Sequence, residues 1–75
     1  MAEGFVHTLN IEGRWQNDIE GGDGLALGMY DTKAEAVEAG RAEAKRRKTE
    51  HVIHRADGSI EDRDSYGRDP AHRPG

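Results

Sequence analysis

The sequence predicts an α+β domain, an antiparallel β-β-β-α-β-β sheet with one helix packed on one face. Three observations predict it. Residues 32–48 hold the chain's one run of apolar positions at helical spacing, and that run opens on a capping signal. The residues before it alternate apolar and polar with a period of two, and after it an Asp-Gly dipeptide separates two short apolar runs.

Taken in order, residues 5–11 alternate Phe5, His7, Leu9 and Ile11 with Val6, Thr8 and Asn10, as a half-buried strand does. Glu12-Gly13 supplies a turn. Residues 14–19 repeat the alternation with Trp15 and Ile19 opposite Arg14, Gln16 and Asp18, which makes a hairpin. Residues 20–24 contain three glycines and little to pack, so a mobile loop is expected there. Leu25, Leu27 and Met29 alternate with Ala26, Gly28 and Tyr30 in a third strand that leads into Thr32-Lys33-Ala34-Glu35. In that box the Thr side chain accepts from a free N–H one turn in and the Glu reaches back to the Thr N–H. Ala36, Val37, Gly40 and Ala44 then share one helical stripe. Residues 51–55 and 59–63 are the last two strands, and Asp57-Gly58 is expected to join them as a two-residue turn with positive φ at both positions. From Asp64 onward Gly67, Pro70, Pro74 and Gly75 surround Tyr66, the segment's one large apolar residue. The division expected is a domain over 1–63 and a closing segment or flexible tail over 64–75.

Seventy-five residues hold one domain, near the size at which a single core barely offsets the entropy of ordering the chain. The absence of cysteine removes disulfides and thiolate metal sites, which leaves oligomerisation as the remaining support. No apolar run approaches the ~20 residues of a membrane span and there is no leader pattern, so a soluble, cytoplasmic protein without membrane contact is expected. A net charge of -4 argues against a protein devoted to nucleic acid. The charge is uneven, however: residues 31–48 carry six bases against four acids, while acids prevail on both sides of that stretch.

One resemblance covers nearly the whole chain. It is carried by Trp15, Asp31-Thr32-Lys33-Ala34-Glu35-Ala36, Ala44-Lys45, His51-Val52-Ile53-His54, Asp57-Gly58-Ser59-Ile60 and Asp64-Ser65-Tyr66-Gly67-Arg68-Asp69-Pro70. In these the chain resembles the domain-of-unknown-function 2188 family, short bacterial and phage proteins with no established activity. The resemblance implies the same fold and supplies no catalytic residues.

Surface reasoning points to a partner. A helix about 10 Å across covers less than a sheet on the order of 20 Å wide, and a stripe of small residues fills little volume. The helix is expected over the face that carries Phe5, Leu9, Trp15, Ile19, Leu25 and Leu27, part of which stays half exposed. Val6, Tyr30 and one of Val52 or Ile53 are expected on the opposite face. An apolar patch of that size predicts self-association as a homodimer, or docking of another protein, with Val6, Trp15, Tyr30 and Tyr66 as candidate interface residues. The alternative is a twisted sheet that curls over the helix and is closed by the Tyr66 segment.

The second candidate surface is the helix flank Arg41, Lys45 and Lys48, one narrow basic face that would track phosphates and bind nucleic acid without sequence preference. Its competing explanation is the helix dipole, which favours acids early and bases late, with Glu43 free to pair with Arg47. No metal or cofactor is expected: His51 and His54 fall on opposite faces of a strand, and His7 meets His54 only if their strands are neighbours with matching faces. The carboxylates Glu61, Asp62, Asp64 and Asp69 form a solvated run instead of a facing pair, and the glycines of 21–24 precede no helix. The sequence therefore predicts a non-enzymatic interaction module that self-associates, with non-specific nucleic-acid binding as the alternative.

Overall fold

The computed structural model describes residues 4–20 and 26–67. The glycine-rich stretch at 21–24, Leu25, both chain ends and the side chains of Ala26 and Leu27 lie outside the described residues. β1 (Val6–Ile11) and β2 (Arg14–Ile19) form the first hairpin, from Val6 opposite Ile19 to Ile11 opposite Arg14. Glu12 and Gly13 turn it with φ of 52° and 86°, the turn whose twist suits antiparallel strands. β3 (Ala26–Tyr30) pairs with β2, α1 (Lys33–Arg47) follows, and β4 (Glu50–His54) and β5 (Ile60–Ser65) form the second hairpin.

The sheet order is β3-β2-β1-β4-β5, with β1 and β4 parallel at its centre. The sheet is thus mixed, not the purely antiparallel one expected. The helix is the reason. Its 15 residues span ~22 Å, enough to return the chain along the full length of a strand. β4 therefore starts at the end where β3 started and runs in the direction of β3, which is also that of β1.

Local chemistry sets the ends of the elements. Thr32 caps α1 by accepting from the Glu35 N–H at 3.2 Å, while the return bond from Glu35 is not made among the described residues. At the other end Lys48 takes the left-handed conformation (φ 56°), and its N–H reaches the carbonyls of Ala44 and Lys45. The second hairpin departs from the expected two-residue turn. Of its residues Gly58 alone has positive φ (97°), and Arg55 and Ser59 close a three-residue loop around Ala56, Asp57 and Gly58. Asp57 accepts from the Ser59 N–H at 2.9 Å and the Ser59 hydroxyl at 2.7 Å, side-chain bonds that brace the longer turn. These bonds also hold the Asp57 carboxyl below its usual pKa. β5 continues past residue 63, with Asp64 opposite His51 and Ser65 opposite Glu50, and the Tyr66 N–H donates to the Thr49 carbonyl at 3.1 Å.

The two faces differ from expectation as well. Residues directly opposite on a ladder share a face, and the two-residue turn sets Trp15 opposite Asn10 and Asn17 opposite Thr8. Trp15 and Ile19 therefore lie on the face of Val6 and Thr8, with Tyr30 opposite Trp15, and α1 covers that face. Phe5, which continues the β1 alternation, and Leu9 and Ile11 lie on the uncovered face. Val52 and Ile53 point to opposite faces, and both are buried. The helix buries Ala36, Gly40 and Ala44 as its stripe predicts, with Val37 half-buried beside them.

Candidate functional site

Beneath the middle of α1 lies a polar cluster where an apolar core is the usual solution. The ladders bring Thr8 of β1, Asn17 of β2 and His51 of β4 together under Gly40. A Cβ at residue 40 would stand 2.6 Å from His51 Nε2, 2.7 Å from Asn17 Oδ1 and 2.8 Å from Thr8 Oγ1, so the helix sits this low only because residue 40 is glycine. The Thr8 hydroxyl donates to Asn17 Oδ1 at 2.5 Å, and the Asn17 amide donates to the Ala36 carbonyl at 2.9 Å. With its proton so committed, Thr8 Oγ1 accepts from the His51 Nε2–H at 2.7 Å. His51 is then a neutral ring whose Nδ1 is buried without a hydrogen-bond partner. Burial holds its pKa below the usual imidazole value; the Asp64 charge opposes this, and Arg41 and His7 add to it.

A hydroxyl beside an imidazole is the outline of a nucleophile and its base. Here Thr8 and His51 are both 0% exposed, and the hydrogen bond runs from the ring to the hydroxyl, opposite to what a base requires. The cluster joins α1 to the central strands.

The uncovered face carries the second constellation. β1 and β4 are neighbours with matching faces, so the condition under which His7 and His54 meet is fulfilled: His7 Nδ1 and His54 Nε2 are 2.9 Å apart. The ring centres are 5.1 Å apart, the nitrogen gap plus roughly one ring radius on each side, so the lone-pair axes point head-on. A metal bound by both rings would need those axes to converge at an angle; the straight approach holds a proton. His54 Nδ1–H donates to the Gly58 carbonyl at 3.1 Å, which leaves its Nε2 to accept from His7 Nδ1–H. His7 Nε2 faces the Glu20 carboxylate at 3.3 Å. Among the described residues no group of three His, Cys, Asp or Glu side chains is placed to hold a metal.

Around this pair the face is apolar in patches. Among the described residues Phe5 (37% exposed), Ile11 (43%), Met29 (53%) and Ile60 (49%) are the large hydrophobic residues left exposed. Ladder partners place Met29 beside Gln16, Ile11 beside Arg14 and Ile60 beside His54, all away from α1.

The residues singled out from the sequence fall elsewhere. Val6 is fully buried under the helix, which removes it as an interface candidate. Trp15 and Tyr30 are half-buried on the helix side, with Lys33 over the Trp15 ring at 5.7 Å. Tyr66 is half-buried and lies under Lys45 at 5.6 Å. Arg41, Lys45 and Lys48 are exposed, and among the described residues none of them makes an ion pair, whereas Glu43 pairs with both Arg46 and Arg47. These guanidinium groups hold the Glu43 carboxyl below its usual pKa.

Sequence reasoning missed Thr8 and Asn17, and it placed Gly40 on the buried stripe of α1 without seeing the polar cluster beneath it. One signal was available: a glycine in the middle of a helix costs about 1 kcal/mol against alanine, which implies a close neighbour at that point.

Among the described residues no helix is long and apolar enough to cross a membrane. No curated protein and no solved structure matches the chain. A family model does match, over residues 6–66, which takes in every strand and the helix. By that match the chain belongs to the family described as an uncharacterised protein conserved in bacteria, DUF2188.

Proposed function

We propose that this protein is a non-enzymatic interaction module of the cytoplasm that self-associates, covering its open sheet face with a second copy. One observation carries the reading. The helix covers a face whose centre is polar, Thr8, Asn17 and His51, while Phe5, Ile11, Met29 and Ile60 stay exposed on the face it leaves open. A chain of this size has little apolar surface to spare, and large apolar residues gathered on one open face mark a surface that a partner can remove from water. A face of about 20 Å by 20 Å offers roughly 400 Å² per copy, about half of what each partner of a standard stable interface buries, so the expected association is weak and concentration-dependent. Sedimentation equilibrium over about a thousandfold range of concentration tests the reading. Mass doubling that is lost in Ile11→Lys and Met29→Lys supports it; a monomer at every concentration overturns it.

A second reading keeps one supporting observation. Arg41, Lys45 and Lys48 project from one flank of α1 without acidic partners among the described residues. That flank fits weak, salt-sensitive contact with phosphate backbones. Titration of labelled DNA and RNA at low and high salt tests it, and the absence of salt-dependent binding removes it.

A further inference from the structure

The open face also specifies how the second copy would be oriented. β2 presents Arg14, Gln16 and Asp18 on that face, one charge of each sign on either side of a neutral amide. The charges are about 13 Å apart along the strand, with Gln16 midway. Gln16 lies in a cross-strand row with Met29 of β3 and Leu9 of β1, and that row carries no charge. Asp18 accepts from the Gln16 amide at 2.9 and 3.2 Å, which holds its carboxylate toward the middle of the strand. Among the described residues neither Arg14 nor Asp18 has an oppositely charged partner within its own chain.

Two facing sheets can be related by a two-fold axis that runs along the strands or across them. An axis above β2 and along it sets Arg14 against Arg14 and Asp18 against Asp18, like charges facing at both ends. An axis across the strands, over the row of Met29, Gln16 and Leu9, sets each of those residues against its own copy and exchanges the two charges. Like charges then never meet, and opposite charges meet twice. Sheets about 10 Å apart are within reach of an Arg and an Asp extended toward each other, and the usual twist of aligned sheets keeps both pairs close.

We infer that two copies dock face to face across this second axis, their β2 strands antiparallel, with Arg14 of each protomer paired to Asp18 of its partner and Met29 and Leu9 closing the centre. The inference rests on the reading of the open face as the self-association surface and specifies its geometry. The arrangement is isologous, so it closes at two copies.

Charge reversal tests it through complementation. Arg14→Asp leaves two acids on β2 and Asp18→Arg leaves two bases, so each variant alone sets like charges across the interface. Each is expected to self-associate about tenfold or more weakly than the unmodified chain. Mixed in equal amounts, the two variants restore both opposite pairs, and sedimentation of the mixture, with one variant fluorescently labelled, is expected to show a heterodimer within about threefold of the original affinity. Circular dichroism confirms that each variant is folded, since both positions are outside the core. A dimer that neither reversal weakens, or two weakened variants that fail to complement, overturns the orientation and leaves self-association standing. An unmodified chain that stays monomeric sinks the underlying reading itself.

Discussion

Replacing Gly40 by Ala sets two known effects against each other. Alanine favours the helix by about 1 kcal/mol over glycine. Against this, the new methyl group would stand 2.6 to 2.8 Å from three polar atoms on three strands, none of them the free end of a long side chain. Overpacking of a tight site costs about 1–3 kcal/mol. Lifting α1 to relieve it stretches the bond from the Asn17 amide to the Ala36 carbonyl, and each buried polar group left without a partner costs about 1–3 kcal/mol more. The net expectation is a loss of about 2–4 kcal/mol, or on the order of 10–25 °C in Tm for a domain of this length. Urea unfolding followed by circular dichroism and by Trp15 fluorescence measures it. Ala42→Gly, at an exposed helix position, serves as the control for propensity alone and is expected to lose about 1 kcal/mol. A Gly40→Ala protein as stable as the original, or more so, would refute the close approach of helix and polar cluster.

Because burial depresses the His51 pKa below 6.5, the unfolded chain binds the extra proton first as pH falls. The His51 contribution is therefore complete above pH 6.5 and is lost as pH drops from there toward the lower folded value. Unfolding midpoints between these limits should fall less steeply in His51→Gln than in the unmodified chain, and parallel curves would contradict the assignment. Long-range 1H–15N spectra should show His51 protonated on Nε2 and His54 on Nδ1, and either opposite tautomer breaks the corresponding chain of hydrogen bonds. Lys48→Gly relieves a left-handed lysine and should raise stability by about 1 kcal/mol, read from the urea midpoint; a loss would mean that the Lys48 side chain does more than its backbone shows.

How far the sequence was legible follows from the range of the interactions. The helix, its Thr32 cap and the strands around it rest on periodicity and local hydrogen bonds, and they appear in the structure close to where the pattern puts them. The parallel pairing of β1 and β4 is a long-range event set by the return path of α1, and no residue in β4 announces it. The faces were readable in principle. A two-residue turn at Glu12-Gly13 obliges Trp15 to share a face with Asn10, so the larger apolar residues of β1 and Trp15 of β2 cannot lie together. Interface candidates chosen by apolar character alone therefore landed under the helix, as Val6 did. The polar cluster was the least legible part, since Thr8, Asn17, Gly40 and His51 are scattered along the chain and meaningful only once two ladders and the helix above them align.

Self-association places the meeting of two copies on the open sheet face. The most direct measurement is a dilution series of 1H–15N correlation spectra on the unmodified chain. Amide signals of Leu9, Ile11, Gln16 and Met29 are expected to move with concentration while those of Arg41, Lys45 and Lys48 on the outer helix flank stay fixed. Signals that are constant throughout, or that move on the helix flank and not on the sheet, would contradict it.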